Sequence, residues 1–247
     1  MTRRVALVTG GMGGIGTAVC KKLAKANGNV VVANCLPGYD RKDSWLEGMN
    51  KEGYEVHAAE GDVADFDSTA AMVRRIESEV GSVDILVNNA GIVRDNMLKK
   101  ASSSDWMAVI NSNLNSVFNV TKNVIDGMTD RGWGRVVNMS SVNGQKGQFG
   151  QTNYSAAKAG VHGFAKALAQ EVIRKGVTVN SVSPGYVETD MVKSIRKDVL
   201  DKLIAGIPIG RLAQPEEIAS LVAFLTSEEA GYITGANIAI NGGMYMS

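Results

Sequence analysis

Val5-Ala6-Leu7-Val8-Thr9-Gly10-Gly11-Met12-Gly13-Gly14-Ile15-Gly16 passes from four apolar residues through a glycine cluster into the start of an amphipathic stretch. A short buried strand, a tight turn and a helix N-terminus account for the three parts in order. Removing side chains at the turn lets backbone N–H groups close on an anion, and the helix end adds partial positive charge. The spacing fits G-x-G-x-x-G through Gly11, Gly13 and Gly16, and equally T-G-x-x-x-G-I-G through Thr9, Gly10, Gly14, Ile15 and Gly16. Five glycines between positions 10 and 16 cost more conformational entropy than a plain turn requires. A pyrophosphate-binding turn is therefore expected.

The alternation continues along the chain. Arg4–Val8, Val30–Ala33, Tyr54–Val56, Asp84–Val87, Arg135–Met139, Val177–Val182 and Ile238–Ile240 read as strands. Between them, Ile15 to Ala26, Asp67 to Val80, Ser104 to Asp130, Asn153 to Lys175 and Pro215 to Thr226 carry apolar residues at helical spacing. Strands nearly continuous in Val, Ile and Leu, each followed by a helix, are what a parallel sheet covered on both faces requires. The expected fold is α/β: a single-domain, Rossmann-like, doubly wound parallel sheet of seven strands with helices on both faces, spanning residues 1–247. An irregular segment at about 184–211, broken by Pro184-Gly185, Gly206 and Pro208-Ile209-Gly210 around one short helical window, has the length of a substrate lid.

Composition narrows the function classes. An apolar share of 45% with 21% charged residues excludes disorder and suits one domain at this length. Lys plus Arg is 26 against 25 acidic residues, so no global field recruits nucleic acid or an anionic membrane, and an anionic ligand needs a local site. The two cysteines, Cys20 and Cys35, form no disulfide framework or zinc site, which fits a reducing compartment, and the cytoplasm is expected. Val5 to Val8 is too short for a signal core, and no run reaches the roughly 18 apolar residues that span a bilayer. His57 and His162 have no histidine or cysteine at ligand spacing, so no metal is expected. Met97, Met107, Met128, Met139 and Met191 read as core or lid filler, with Met191 the one placed to meet a substrate chain.

Ligands of open α/β sheets bind at the carboxyl ends of the strands, and several polar groups fall there. The second strand ends in Asn34-Cys35-Leu36 without an acid, and Asp40, Arg41 and Lys42 follow. A carboxylate at this point would bind the ribose of NAD, and a cation would accept the 2′-phosphate of NADP. The two cations favour NADP(H), and Asp40 leaves NAD(H) open. Gly61-Asp62-Val63 and Asn88-Asn89-Ala90-Gly91 follow the third and fourth strands, and Ser141 follows the fifth. Tyr154 and Lys158 lie four residues apart on one helical face. Bringing a phenol from about 10 to near 7 takes about 4 kcal/mol, and a charge some 5 Å away at an effective dielectric of about 20 supplies roughly 3. Asn113 sits inside the Ser104–Asp130 window, where asparagine is a poor helix former.

Together, Thr9-Gly10-x-x-x-Gly14-Ile15-Gly16, Asn88-Asn89-Ala90-Gly91, Asn113-Leu114, Ser141, Tyr154-x-x-x-Lys158 and Pro184-Gly185 resemble the classical short-chain dehydrogenase/reductases, over the whole chain. The resemblance implies that Tyr154 is the general acid for carbonyl reduction, that Lys158 lowers its pKa and meets the nicotinamide ribose, and that Ser141 holds the carbonyl oxygen. It implies that Asn113 orders a helix irregularity and a water. It assigns the cofactor to Gly10, Gly13, Gly14, Ile15, Gly16, Asp62, Asn89, Gly91, Gly185, Val187 and Thr189, to which the charge of the loop after the second strand adds Arg41, and it implies a homotetramer joined through the two long helical windows.

Within that family, Ser140 to Tyr154, Val124 to Met128 and Arg131 to Arg135 look like the bacterial acetoacetyl-CoA reductases of polyhydroxybutyrate synthesis. This implies NAD(P)H-dependent reduction of a short 3-oxoacyl-CoA thioester to the (R)-3-hydroxyacyl product, with Asp95, Gln148, Gln151 and Tyr186 as substrate contacts. A 3-oxoacyl-[acyl-carrier-protein] reductase would share every catalytic residue, and Arg131, Arg174 and Lys175 suit an acidic carrier as well as the phosphates of coenzyme A. A non-catalytic dinucleotide-binding module is opposed by the presence of Ser141, Tyr154 and Lys158 together.

Overall fold

In the computed structural model, which describes residues 3–26, 28–189, 192 and 196–246, the strands are β1 (Val5–Val8), β2 (Val30–Cys35), β3 (Val56–Glu60), β4 (Val83–Asn88), β5 (Gly134–Met139), β6 (Val177–Pro184) and β7 (Asn237–Ile240). They form one parallel sheet in the order β3-β2-β1-β4-β5-β6-β7. The chain winds outward from β1 in both directions. The strand order therefore reverses between β1 and β4, and a crevice opens at their carboxyl ends.

Alternation along β1 decides which helices cover which face. Ala6 and Val8 pack with Ala18, Val19 and Leu23 of α1 (Gly14–Lys25), while Val5 and Leu7 face the other way. The first face is completed by α9 (Pro215–Leu225) through Ile218, Val222 and Leu225. The second holds Met72, Val73 and Ile76 of α3 (Phe66–Glu79), Val120, Val124 and Met128 of α5 (Ser116–Asp130), and Ala165, Ala169 and Val172 of α7 (Thr152–Val172). The expected doubly wound sandwich is present.

Several boundaries differ from the sequence reading. β3 begins at Val56 and runs to Glu60, because pairing with β2 (His57 opposite Val32, Glu60 opposite Cys35) recruits residues that are not apolar. A polar helix, α2 (Lys42–Lys51), buries only Met49 and so leaves little apolar signal. The Ser104–Asp130 window is not one helix: α4 (Ser103–Ile110) is separated from α5 by a wider turn at Asn111–Asn115. A short helix, α6 (Val142–Lys146), follows β5, and α8 (Lys197–Ala205) lies in the 184–211 segment. Met191 lies outside the described residues.

Candidate active site

The glycine turn leaves β1 with Gly10 at φ +58°, and a Cβ on Gly16 would collide with the Gly10 carbonyl oxygen. Gly13 precedes α1 with no side-chain cap, and the first turn carries no acidic residue, so the positive end of the helix faces the crevice. Two asparagines hold the turn. Asn34 Oδ1 accepts from Gly10 N at 3.2 Å while its Nδ2 donates to Gly61 O at 2.9 Å, tying the turn to the end of β3. Asn89 Nδ2 donates to the carbonyls of Thr9 (3.0 Å) and Gly10 (3.1 Å), and Thr9 Oγ1 accepts from Asn89 N at 2.9 Å and Ala90 N at 3.0 Å. Asn89, assigned by resemblance to the cofactor, thus also braces β1 against β4. In the sequence Asn34 marks only the lack of an acid; a buried amide near the end of a strand is the signal that singles it out.

Arg41 stands just before α2 without capping it through its side chain, its guanidinium carbon 5.4 Å from the Tyr39 ring centre. Lys42 is held by Glu60 at 2.6 Å, which raises the ammonium pKa and lowers the carboxyl one. Of the two cations, Lys42 is therefore the one already matched by a carboxylate. Asp62 turns its Oδ1 to Ala64 N at 2.9 Å. On the far side of the turn, a Cβ on Gly14 would lie 2.8 Å from Thr189 Cγ2, so the bare glycine admits the start of the 184–211 segment. A Cβ on Gly185 would meet the Asn241 backbone at 3.0 Å, and Val187 bridges to Ala213.

Three consecutive residues at the end of β5 meet α7. Lys158 Nζ donates to Met139 O at 2.8 Å, Ser140 Oγ donates to the Lys158 carbonyl at 2.8 Å, and the Ser141 hydroxyl lies near enough to the Tyr154 phenol to lower its pKa. Ser141 also caps α6, accepting from Asn143 N at 3.1 Å. A Cβ on Gly144 would come within 2.8 Å of the Lys158 backbone, so α6 can lie against α7 only with glycine there. Lys158 Nζ is 5.6 Å from the Tyr154 ring centre, as the four-residue spacing requires.

Asn113 is fully buried in the wide turn. Its Nδ2 takes the Val109 carbonyl at 2.9 Å, in competition with the helical backbone, and the Ile92 carbonyl at 2.8 Å. Its Oδ1 is buried without a partner and points at Gly91, beside Lys158 Nζ. An orphaned acceptor next to a buried ammonium is a place for a ligand hydroxyl or a water.

Asp95, Gln151 and Tyr186 converge on Asn143. Asn143 Nδ2 donates to Gln151 Oε1 at 2.9 Å and Gln151 Nε2 donates to Asp95 Oδ2 at 2.8 Å, while the Tyr186 phenol lies near enough to Asn143 for that amide to lower its pKa, and Asn143 Oδ1 is buried without a partner. Gln148 takes another course, accepting from Lys146 Nζ at 3.0 Å beside Phe149, which is 84% exposed. Asn143 was missed in the sequence because nothing local separates it from any helix-start asparagine.

The electrostatics depart from expectation at one point. Burial lifts the Tyr154 phenol above its ordinary value, the nearby Ser141 hydroxyl opposes this, and the Asp95 charge adds to it. Lys158 was expected to lower that pKa, but with its ammonium turned to the Met139 carbonyl, desolvation of the phenol dominates. Burial acts on Lys158 as well, pushing its pKa down to about 8. Tyr186 is raised, first by burial and then by Asp95.

The family model described as short chain dehydrogenase matches residues 4–200. The chain is 63% identical over 246 residues to an acetoacetyl-CoA reductase of Cupriavidus necator, with all of both chains covered. It is 57% identical to an acetoacetyl-CoA reductase of Allochromatium vinosum, covering 98% of this chain and 99% of the relative. It is also 44% identical to a 3-oxoacyl-[acyl-carrier-protein] reductase of Pseudomonas aeruginosa, covering 99% of this chain and 98% of that one.

Proposed function

The chain belongs to the short-chain dehydrogenase family, and from that premise we propose that it reduces acetoacetyl-CoA to (R)-3-hydroxybutyryl-CoA. The observation that carries the reading is the Ser141-Tyr154-Lys158 group at the end of β5, beside a glycine turn, in a chain 63% identical over its full length to an acetoacetyl-CoA reductase. The residues present fit a nicotinamide dinucleotide, because the bare glycine turn and the uncapped helix N-terminus match its pyrophosphate. When bound, that cofactor supplies the hydride. Gly10, Gly13, Gly14, Ile15 and Gly16 would hold the pyrophosphate, Asp62, Asn89 and Gly91 the adenosine side, and Lys158, Gly185, Val187 and Thr189 the nicotinamide side. NADP(H) is preferred over NAD(H), with Arg41 on the 2′-phosphate.

Tyr154 gives its proton to the substrate carbonyl oxygen as the carbon is reduced, and a phenol held above its ordinary pKa is protonated at neutral pH, ready to act as the acid. Ser141 donates to the same oxygen. Lys158, cationic below about pH 8, stabilises the phenolate left behind. Asn113 Oδ1 holds a water on the route by which Tyr154 regains its proton. Asp95, Gln151 and Tyr186 orient the thioester through the Asn143 cluster, with Gln148 at its rim. The setting is polyhydroxybutyrate synthesis in the cytoplasm, and the enzyme works as a homotetramer through α5 and α7. In support of that face, Phe118 of α5 is half exposed and stacked on Phe66, ring centres 6.1 Å apart.

Following the loss of reduced-nicotinamide absorbance with acetoacetyl-CoA, with NADPH and NADH in parallel and an acetoacetyl-carrier-protein control, tests the reading. Turnover of the CoA thioester, faster with NADPH, is expected. Turnover of the carrier-linked substrate alone would overturn it in favour of fatty-acid elongation.

A further inference from the structure

His162 lies one turn beyond Lys158 on α7 and touches no group assigned a role above. Its Nε2 is 2.7 Å from Ser140 Oγ and 3.2 Å from Ser183 Oγ on β6. The Ser140 proton is committed to the Lys158 carbonyl, which can only accept, and the Ser183 hydroxyl donates to Asn237 Oδ1 of β7 at 2.7 Å. A hydroxyl has one proton. Both serines therefore meet the imidazole as acceptors, and Nε2 must carry a hydrogen shared between them. Burial, Lys166 and Lys158 disfavour a second proton on the ring, so His162 serves as a neutral donor.

Ser140 is the middle of the three residues that β5 presents to α7. Met139 before it binds the Lys158 ammonium, and Ser141 after it lies beside the Tyr154 phenol and lowers its pKa. Ser140 N also donates to Val182 O at 2.7 Å, so the junction joins β5, β6 and α7. We propose that His162 is a positioning residue for proton transfer: its Nε2–H, clamped between Ser140 and Ser183, fixes the end of β5 against α7 and so sets the placement of Ser141, Tyr154 and Lys158. This rests on reading Tyr154 and Lys158 as the proton-transfer pair. A leucine here would pack but would leave two serine oxygens without their donor.

The chain has two histidines, His57 and His162, so ring nitrogens are assignable in protein labelled with nitrogen-15. The expected resonance has Nε2 protonated, and a bare Nε2 overturns the proposal whatever the substrate proves to be. In turnover, His162→Leu should lose about tenfold or more in kcat, since small misplacements of reacting groups cost that much, with both KM values little changed. His162→Gln, whose amide N–H sits where Nε2–H does, should recover most of the loss. Equal kcat in wild type and His162→Leu, or no difference between Leu and Gln, overturns it. If His162→Leu does not fold, Gln against Asn decides, because Asn cannot place its N–H between the serines; equal kcat for the two overturns the proposal. Wild type inactive on every thioester, with Nε2 protonated, would count against the proposed substrate and leave the clamp standing.

Discussion

Replacing Lys158 by methionine should separate stability from activity, and the size of the effect follows from the burial of the amine. Lys158 is 4% exposed, its ammonium donates to Met139 O, and burial brings its pKa from the usual 10.5 to about 8. In the unfolded chain the amine keeps its proton to about 10.5. Between the two values the unfolded state binds more protons than the folded one, so stability rises with pH. The penalty for burying the charge is present in full below about 8 and is relieved above about 10.5. At about 1.4 kcal/mol per pH unit, the gap between 10.5 and about 8 corresponds to about 3 kcal/mol. Urea unfolding of wild type and Lys158→Met side by side, from about pH 7 to about 10.5, should show wild type gaining about 3 kcal/mol on the variant. The comparison cancels other groups, including Lys25 and Lys42, whose raised values act in the opposite sense. In the same series, wild-type kcat/KM for reduction should fall on an alkaline limb near pH 8, because Lys158 loses its charge well before the raised Tyr154 phenol. A stability difference that does not vary with pH, or an alkaline limb only above about 10, would refute the reasoning.

Other outcomes are equally specific. Tyr154→Phe removes the proton donor and should abolish turnover while nucleotide affinity by fluorescence titration stays within a few fold; substantial residual activity would remove Tyr154 from its role. Gly16→Ala drives a Cβ into the Gly10 carbonyl, so nucleotide binding should weaken by at least about tenfold and stability should fall by about 1–3 kcal/mol; calorimetric titration and thermal melting measure the two effects. Arg41→Ala should cut NADPH affinity by about tenfold or more through loss of a charge-assisted bond while sparing NADH. An unchanged ratio of the two affinities would shift attention to Lys42, despite its bond to Glu60.

The sequence by itself determined the sandwich and the location of its chemistry. Apolar runs such as Ile85-Leu86-Val87 call for burial on both faces, and such strands alternating with amphipathic helices require a parallel sheet covered on both sides, although the order β3-β2-β1-β4-β5-β6-β7 is set by the tertiary structure. Glycines 10 to 16 and the Tyr154–Lys158 spacing are local facts about backbone room and helical periodicity, so they too could be read from the chain. What tertiary structure alone decided are contacts between residues far apart in the chain. Asn34 bonds to Gly10 and Gly61, Gln151 reaches Asp95 at a separation of 56 residues, and Asn113 opens its helix because the Ile92 carbonyl awaits its amide. The tertiary fold also turned the Lys158 ammonium onto the end of β5 and let burial, a property of everything packed around the phenol, set the direction of the Tyr154 shift. Periodicity reports which face of an element is buried, but hydrogen-bond partners and desolvation depend on what the other elements bring to that face.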